Sequence, residues 1–161
     1  YLRLDLRVER FERIDLASFV QTICAEFADV GYEVSYEGPP RLAWTCRPSA
    51  LMRAITNVID NATKHGTSVS VALHADNDVV QIDVSDNGGG IPTSLHEKVF
   101  EPFFKIEAPA VSAEPVGFGL GLSIARDVVK SHGGTIELRN RSLGGLLVRL
   151  SLPELPAHEQ S

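Results

Sequence analysis

The apolar residues of this chain alternate between two spacings. From Leu16 they recur at helical intervals through "LASFVQTICAEFADV", with Asp15 where an N-cap belongs and Gly31 as a stop. A second helical run spans Pro48 to His65, with Pro48 in its first turn and Gly66 after it. A short helix is predicted around Ser94–Val99 and a third long one over Leu120–His132, stopped by Gly133-Gly134. Between these runs the period falls to two. "FERID" reads as a short strand, and "YEVSYE" and "LAWTC" read as a hairpin around Gly38-Pro39-Pro40. "SVSVALHAD" and "DVVQIDVSD" read as strands joined at an Asn/Asp turn, with Val80, Ile82 and Val84 facing inward. "TIELRNR" and "GLLVRLSLP" read as a closing hairpin around Gly144-Gly145. Residues 101 to 116 have no clear period and are predicted to form a mobile loop, and "ELPAHEQS" a disordered tail. The segment "YLRLDLRVER" alternates Leu2, Leu4, Leu6 and Val8 with charges, which suits either an extended segment or the tail of a neighbouring domain.

Strands come as adjacent hairpins with helices inserted, not in strict β-α-β-α order. That predicts an α+β sandwich. A mixed, mostly antiparallel sheet of about five strands would carry three helices on one face. Length adds that the 161 residues form one domain, expected over 11–152, flanked by a linker at 1–10 and a tail at 153–161. Composition, 43% hydrophobic and 22% charged, suits a soluble core. No apolar run approaches the roughly 18 residues of a membrane span, and the charged start does not resemble a signal peptide. A net charge of −6 without a long basic run argues against a nucleic-acid partner. Cys24 and Cys46 are too few for a disulfide framework and read as buried free thiols of a cytoplasmic protein.

Three stretches carry candidate chemistry. In the second helix, Leu51, Ile55, Val58, Ile59 and Ala62 mark the core face, and Asn57, Asn61 and Lys64 form a second stripe. A solvated face would explain that stripe, but each Asn gives up roughly half a kcal/mol against Ala in a helix. An amide oxygen suits Mg²⁺, and a lysine one turn on suits a phosphate. In "IDVSDNGGGIP", Asp86 ends a strand before a glycine turn. It is either part of a plain turn or a carboxylate at the base of a pocket, where it would accept from the exocyclic amine of adenine and repel the carbonyl of guanine. The third stretch, "GFGLGLSIA", places three glycines directly before a helix, following a loop rather than a strand. It is neither a P-loop nor a Rossmann fingerprint. Unpaired N–H groups at a helix start favour anions, so it reads as a phosphate cradle and a hinge together. Between the last two lies "VFEPFFK". Phe100, Phe103 and Phe104 read as packing, and Lys105 as either solvated or phosphate-directed. The five histidines have no zinc spacing, and no G-x-S-x-G elbow occurs.

The order of these motifs resembles the catalytic ATP-binding domain of bacterial two-component sensor histidine kinases. That GHKL, or Bergerat-fold, family shares its fold with gyrase, MutL and heat-shock chaperone ATPases. "NVIDNATKHG" looks like the N box, "DNGGGIP" the G1 box, "FEPFFK" the F box and "GFGLGL" the G2 box. The resemblance implies ATP and Mg²⁺ as ligands. It assigns Asn61 to the metal, Asn57 and Lys64 to the phosphates and His65 to the adenine ring, where the family often has Tyr. It assigns Asp86 to adenine, with Gly88, Gly90 and Ile91 around it. Lys105 would approach the γ-phosphate. Gly117, Phe118, Gly119, Leu120, Gly121 and Leu122 would form the hinge and cradle of a mobile ATP lid. Asn57, Lys64 and Lys105 are thereby the catalytic candidates.

Hydrolysing relatives carry Glu at position 57 as general base. Asn lacks usable proton affinity, which favours phosphoryl transfer to a partner side chain over hydrolysis. No histidine sits in an H-E-x-x-[TN]-P context, and "HEKVF" at His96 lacks the polar-Pro element. The chain thus resembles the catalytic half alone. Its implied partners are the dimerisation and phosphoacceptor domain of the same kinase and a response regulator. The full-length kinase would be a homodimer, this piece a monomer. The expected location is cytoplasmic, with an inner-membrane anchor elsewhere in the full-length protein left open. The alternatives are a nucleotide-binding regulatory module without kinase activity and a GHKL-type ATPase.

Overall fold

The structure is a computed structural model that describes residues 9–106, 116–119 and 121–154, with 105, 106 and 116–119 described by backbone alone. The expectations for residues 1–8, 107–115, Leu120 and 155–161 lie outside the described residues. Those are most of the linker, the centre of the lid, one cradle leucine and most of the tail. Glu154, at the start of the expected tail, donates its N–H to the Asp78 carbonyl at 2.7 Å.

Strand β1 (Glu12–Asp15) leads directly into helix α1 (Leu16–Asp29). The Asp15 carboxylate is the N-cap: Oδ2 accepts from the Ser18 hydroxyl at 2.7 Å and Oδ1 from the Leu42 N–H at 3.0 Å. Hydrogen bonds from Leu42 and Ser18 hold that carboxyl below the usual aspartate range. Next come β2 (Val34–Glu37), β3 (Ala43–Cys46) and α2 (Pro48–His65), the last with the limits its apolar period and Pro48 predict. Strands β4 (Val69–Asp76) and β5 (Val79–Asp86) turn at Asn77, whose φ of 47° suits asparagine. Then follow β6 (Phe104–Ile106), β7 (Val116–Gly119), α3 (Gly121–Ser131), β8 (Thr135–Asn140) and β9 (Leu146–Pro153).

The main sheet has the order β2-β4-β5-β9-β8, with one parallel pair, β2 on β4. Alternate residues of the central strands, such as Val71, Leu73, Val80, Ile82, Val84, Leu150 and Leu152, are buried in one core with the apolar faces of α1, α2 and α3. The other sheet face is polar. There Asp83 accepts both Arg149 Nε and Nη2, at 2.8 and 2.9 Å. This is the predicted α+β sandwich. Cys24 and Cys46 are buried and free, and burial pushes their thiols up to about 11 and about 12.

Four local expectations are corrected. First, β2 and β3 do not form a hairpin; β3 pairs antiparallel with β1 while β2 joins the main sheet. Pro39 and Pro40 offer no N–H for a hairpin ladder, so the chain crosses between sheets instead. Second, the predicted helix at 94–99 is two 3₁₀ turns, Thr93–Leu95 and Lys98–Phe100. So short a run cannot repay helix nucleation. Third, the predicted loop at 101–116 is strand at its ends, since β6 pairs antiparallel with β7. The glycine stretch therefore begins inside a strand, β7, not after a loop. Fourth, of the three phenylalanines only Phe100 and Phe104 pack; Phe103 is 60% exposed with a φ of 65°.

Helices α2 and α3 pack together, and both are tied at the end away from Asp86. Arg47 supplies no side-chain cap to α2. Instead the Glu9 carboxylate accepts from the N–H groups of Ser49 at 2.6 Å and Ala50 at 2.9 Å. At the end of α3, His132 Nδ1 lies 2.8 Å from the Val128 carbonyl and its Nε2 accepts from the Arg47 N–H at 2.9 Å. That pairing fixes the neutral tautomer with its proton on Nδ1.

Candidate functional site

Helix α2 places the asparagine stripe against the start of α3. Asn61 is only 6% exposed, and its Nδ2 has no hydrogen-bond partner among the described residues. An unpaired buried amide costs about 1–3 kcal/mol, so helix packing alone does not account for it. A Cβ built on Gly121 would lie 3.7 Å from both Asn57 Cβ and Asn61 Oδ1. Glycine at that point leaves open the space in front of both asparagines. A neutral carboxamide oxygen beside such a space suits a hard cation that takes its remaining ligands from phosphate and water. Lys64, one turn on, is exposed and paired with Asp60 at 3.2 Å.

Strand β5 delivers Asp86 to the cavity that Asn61 and His65 of α2 also line. The residue is 3% exposed. Its Oδ1 accepts from the N–H groups of Gly88 at 2.8 Å and Leu146 at 3.3 Å. Oδ2 has no hydrogen bond among the described residues, so one acceptor is fixed and the other is left over. Asp86 lines a small cavity with Val58, Asn61, Ala62, His65, Leu122, Leu146 and Val148. Its volume is about 10 Å³. That is close to a single water and far below the roughly 300 Å³ of an ordinary ligand pocket. A second hollow of about 300 Å³, lined by Ile14, Phe19 and Met52 among others, lies on the α1 side of the fold without Asp86 or the asparagines. The chemistry favours the smaller one. Burial holds the His65 imidazole below its usual pKa, Asp86 pulling it up and Lys64 pushing it down. Gly88 is required here, since any Cβ would overlap the His65 carbonyl oxygen.

The F-box and G2-box segments meet as the β6–β7 ribbon, with Lys105 opposite Gly117 and Phe104 opposite Gly119. Of Lys105, Gly117, Phe118 and Gly119 only this strand placement is described. Phe100 is buried beneath the Arg126 guanidinium of α3, 4.6 Å from its ring centroid, and Arg126 also pairs with Glu97 at 2.7 Å. Ile91 is buried but does not line the cavity. Among the described residues no cluster of three His, Cys, Asp or Glu could hold a metal, and no helix is long and apolar enough to cross a membrane.

With Asn61, His65, Asp86 and Leu122 of α3 around one small cavity, comparison with known proteins becomes decisive. The model of the histidine kinase-, DNA gyrase B- and HSP90-like ATPases matches residues 46–156. This chain belongs to that ATPase family. Within it, the domain is 37% identical over 147 residues to the sensor histidine kinase GtrS of Pseudomonas aeruginosa, covering 91% of this chain and 30% of GtrS. It is 44% identical over 113 residues to the signal transduction histidine-protein kinase AfsQ2 of Streptomyces coelicolor, covering 68% of this chain and 20% of AfsQ2. The domain thus spans a third or less of each of these relatives. Among solved structures, the ATP-binding domain of PrrB from Mycobacterium tuberculosis superposes with a TM-score of 0.75 at 28% identity, covering 92% of this chain and all of that one. The catalytic domain of the histidine kinase ThkA superposes at 0.77 with 24% identity over 91% of this chain and 99% of ThkA's domain, a likeness of fold. Family membership implies nucleotide binding.

The ATPase-family site also contains residues that sequence reading passed over. Leu146 and Val148 line the cavity from β9. Asn140 and Arg141, at the tip of the β8–β9 hairpin, bond to the Ile91 and Asp86 main chain. Their segment reads only as the end of a strand in the closing hairpin, and the one local hint is an asparagine at that strand end. Which loop it meets is a matter of tertiary fold.

Proposed function

We propose that this domain binds Mg·ATP and donates the γ-phosphoryl group to a histidine on a dimerisation and phosphoacceptor domain, from which it passes to a response regulator. The observation that carries the reading is Asp86: a nearly inaccessible carboxylate in an otherwise mostly apolar cavity, one oxygen saturated by main-chain N–H groups and the other left over. That free oxygen accepts from the adenine N6 amine. The imidazole of His65 and the side chains of Leu122, Leu146 and Val148 surround the ring. At about 10 Å³ the cavity is smaller than a purine, so binding includes an opening at the first turn of α3, where Leu122 closes it.

The triphosphate then lies toward Asn57, Asn61 and Gly121, with Lys64 and Lys105 as its cations. Asn61 would hold a magnesium ion through its carboxamide oxygen, and that ion supplies charge neutralisation at the phosphates. The buried, unpaired Asn61 amide and the space left by Gly121 support that assignment. The acceptor histidine nitrogen attacks the γ-phosphorus. The N–P bond forms as the bond to the β–γ bridging oxygen breaks, ADP leaves, and the imidazole proton passes to solvent. Asn57 orients the phosphates but cannot deprotonate water, which favours transfer over hydrolysis.

Calorimetric titration with Mg·ATP tests the first half. Wild type is expected to bind, and Asp86→Asn and Asn61→Ala to lose most of the affinity. Equal binding by all three would overturn the site. Adding a helical phosphoacceptor domain with γ-labelled ATP tests the second half. Label should move to the partner; release of free phosphate alone would indicate an ATPase, and binding without either a regulatory module.

A further inference from the structure

The loop that carries Asp86 is fastened to the rest of the fold by the β8–β9 hairpin. Arg141 Nη1 donates to the Asp86 carbonyl oxygen at 2.7 Å. Five residues on, the Asn140 carboxamide grips Ile91 with both ends: Oδ1 accepts the Ile91 N–H at 2.8 Å and Nδ2 donates to the Ile91 carbonyl at 2.6 Å. His96 Nε2 meets the same carbonyl at 2.9 Å. The hairpin also supplies the Leu146 N–H to Asp86 Oδ1 at 3.3 Å. Gly145, with a φ of 99°, permits this approach; a Cβ there would overlap the Asp86 carbonyl oxygen. Both ends of the glycine loop are therefore held by one strand pair that contains none of the four boxes.

We propose that Asn140 and Arg141 are positioning residues for base recognition. They fix the main chain on either side of the Asp86–Ile91 loop, so that Asp86 Oδ2 is presented to the base at hydrogen-bonding distance. The inference rests on the adenine-binding reading above and deepens it by naming what sets purine preference. The physical argument is one of register. Asp86 distinguishes an amine from a carbonyl only while its free oxygen is held in place, because a carboxylate that swings away neither rewards adenine nor repels guanine. Oδ1 alone is anchored by the carboxylate's own hydrogen bonds. Rotation and drift of the residue are limited by its carbonyl, which Arg141 holds, and by the far end of the loop, which Asn140 holds. Neither side chain lines the cavity. Their removal should leave contacts to phosphate intact.

The test is the ratio of affinities for Mg·ATP and Mg·GTP in the purified chain, by competition against a fluorescent nucleotide analogue. Wild type should prefer ATP. Asn140→Ala and Arg141→Ala are each expected to weaken ATP about tenfold, the loss of roughly the one charge-assisted hydrogen bond from the adenine amine to Asp86, with GTP not weakened and binding somewhat tighter as the repulsion is relieved. Arg141→Lys, which keeps a donor, should recover most of the preference. Arg141 is exposed, so its variants keep the question answerable if Asn140→Ala fails to fold. Weakening of ATP and GTP by the same factor, or a lowered melting temperature with the wild-type ratio, would overturn the inference while leaving the nucleotide site standing. A wild type that binds neither nucleotide would overturn the functional reading itself, and this inference with it.

Discussion

Replacing Glu9 by alanine removes both side-chain acceptors at the start of α2. Ser49 and Ala50 then present N–H groups to no carboxylate, since Arg47 contributes no side-chain cap. Losing an N-terminal cap costs about 1 kcal/mol, with a range of about 0.5–2. Losing a negative charge at the positive end of the helix dipole adds about 0.3–1 kcal/mol. The sum, about 1.5 kcal/mol, corresponds to roughly 4 °C in melting temperature for a domain of this size. Glu9→Gln keeps one good acceptor without the charge and should lose about half as much. The assay is thermal unfolding followed by far-ultraviolet circular dichroism, with a urea titration to confirm that the m-value is unchanged. A melting temperature for Glu9→Ala within about 1 °C of wild type would refute the reasoning. It would mean that the Glu9 side chain does not cap α2, and that the start of that helix is capped by water.

Three further outcomes follow from the same geometry. Gly88→Ala drives a methyl into the His65 carbonyl and should lower stability by about 3 kcal/mol or prevent folding, read from urea unfolding. Burial holds His132 and His65 below their ordinary pKa, so as pH falls below about 6.5 the unfolded chain takes up protons before the fold does. Their stabilisation is complete above that pH and is lost as pH falls; the melting temperature should drop between pH 7.5 and 5.5, and His132→Gln should flatten the drop to the share left by His65. Asp83→Ala breaks a bidentate pair with Arg149, the two side chains being 18% and 22% exposed. It should cost about 1 kcal/mol, and a double-mutant cycle with Arg149→Met should show coupling of that size.

Much of the fold was legible because it is written in local periods. The limits of α2 follow from Pro48, the spacing of Leu51, Ile55, Val58, Ile59 and Ala62, and Gly66. The strands β4, β5, β8 and β9 follow from alternation broken at Asn77 and at Gly144-Gly145. Asp86, Asn57 and Asn61 were legible as chemistry because each is a poor structural choice in its place, an acid closing an apolar strand and two amides in a helix. What failed were the pairing of β3 and that of β6 with β7, whereas the β4–β5 and β8–β9 hairpins pair as read. Trp44, Thr45 and Cys46 are buried in succession, so β3 shows no alternation from which a partner could be read, and it pairs with β1 across a gap that includes all of α1. The ribbon of β6 and β7 joins residues on either side of 107–115, and nothing in the period of either strand announces the other.

The sequence by itself determined which residues form helices and strands, which faces of them are apolar, and which side chains have chemistry to offer. Those properties depend on neighbours a few positions away. The tertiary structure alone decided that Glu9 caps α2, that Gly121 opens the space before Asn57 and Asn61, that Leu146 lines the cavity beside Asp86, and that Asn140 and Arg141 hold its loop. Each of these joins atoms from elements distant in the chain, and such contacts are fixed by how the elements pack, not by any pattern within one of them.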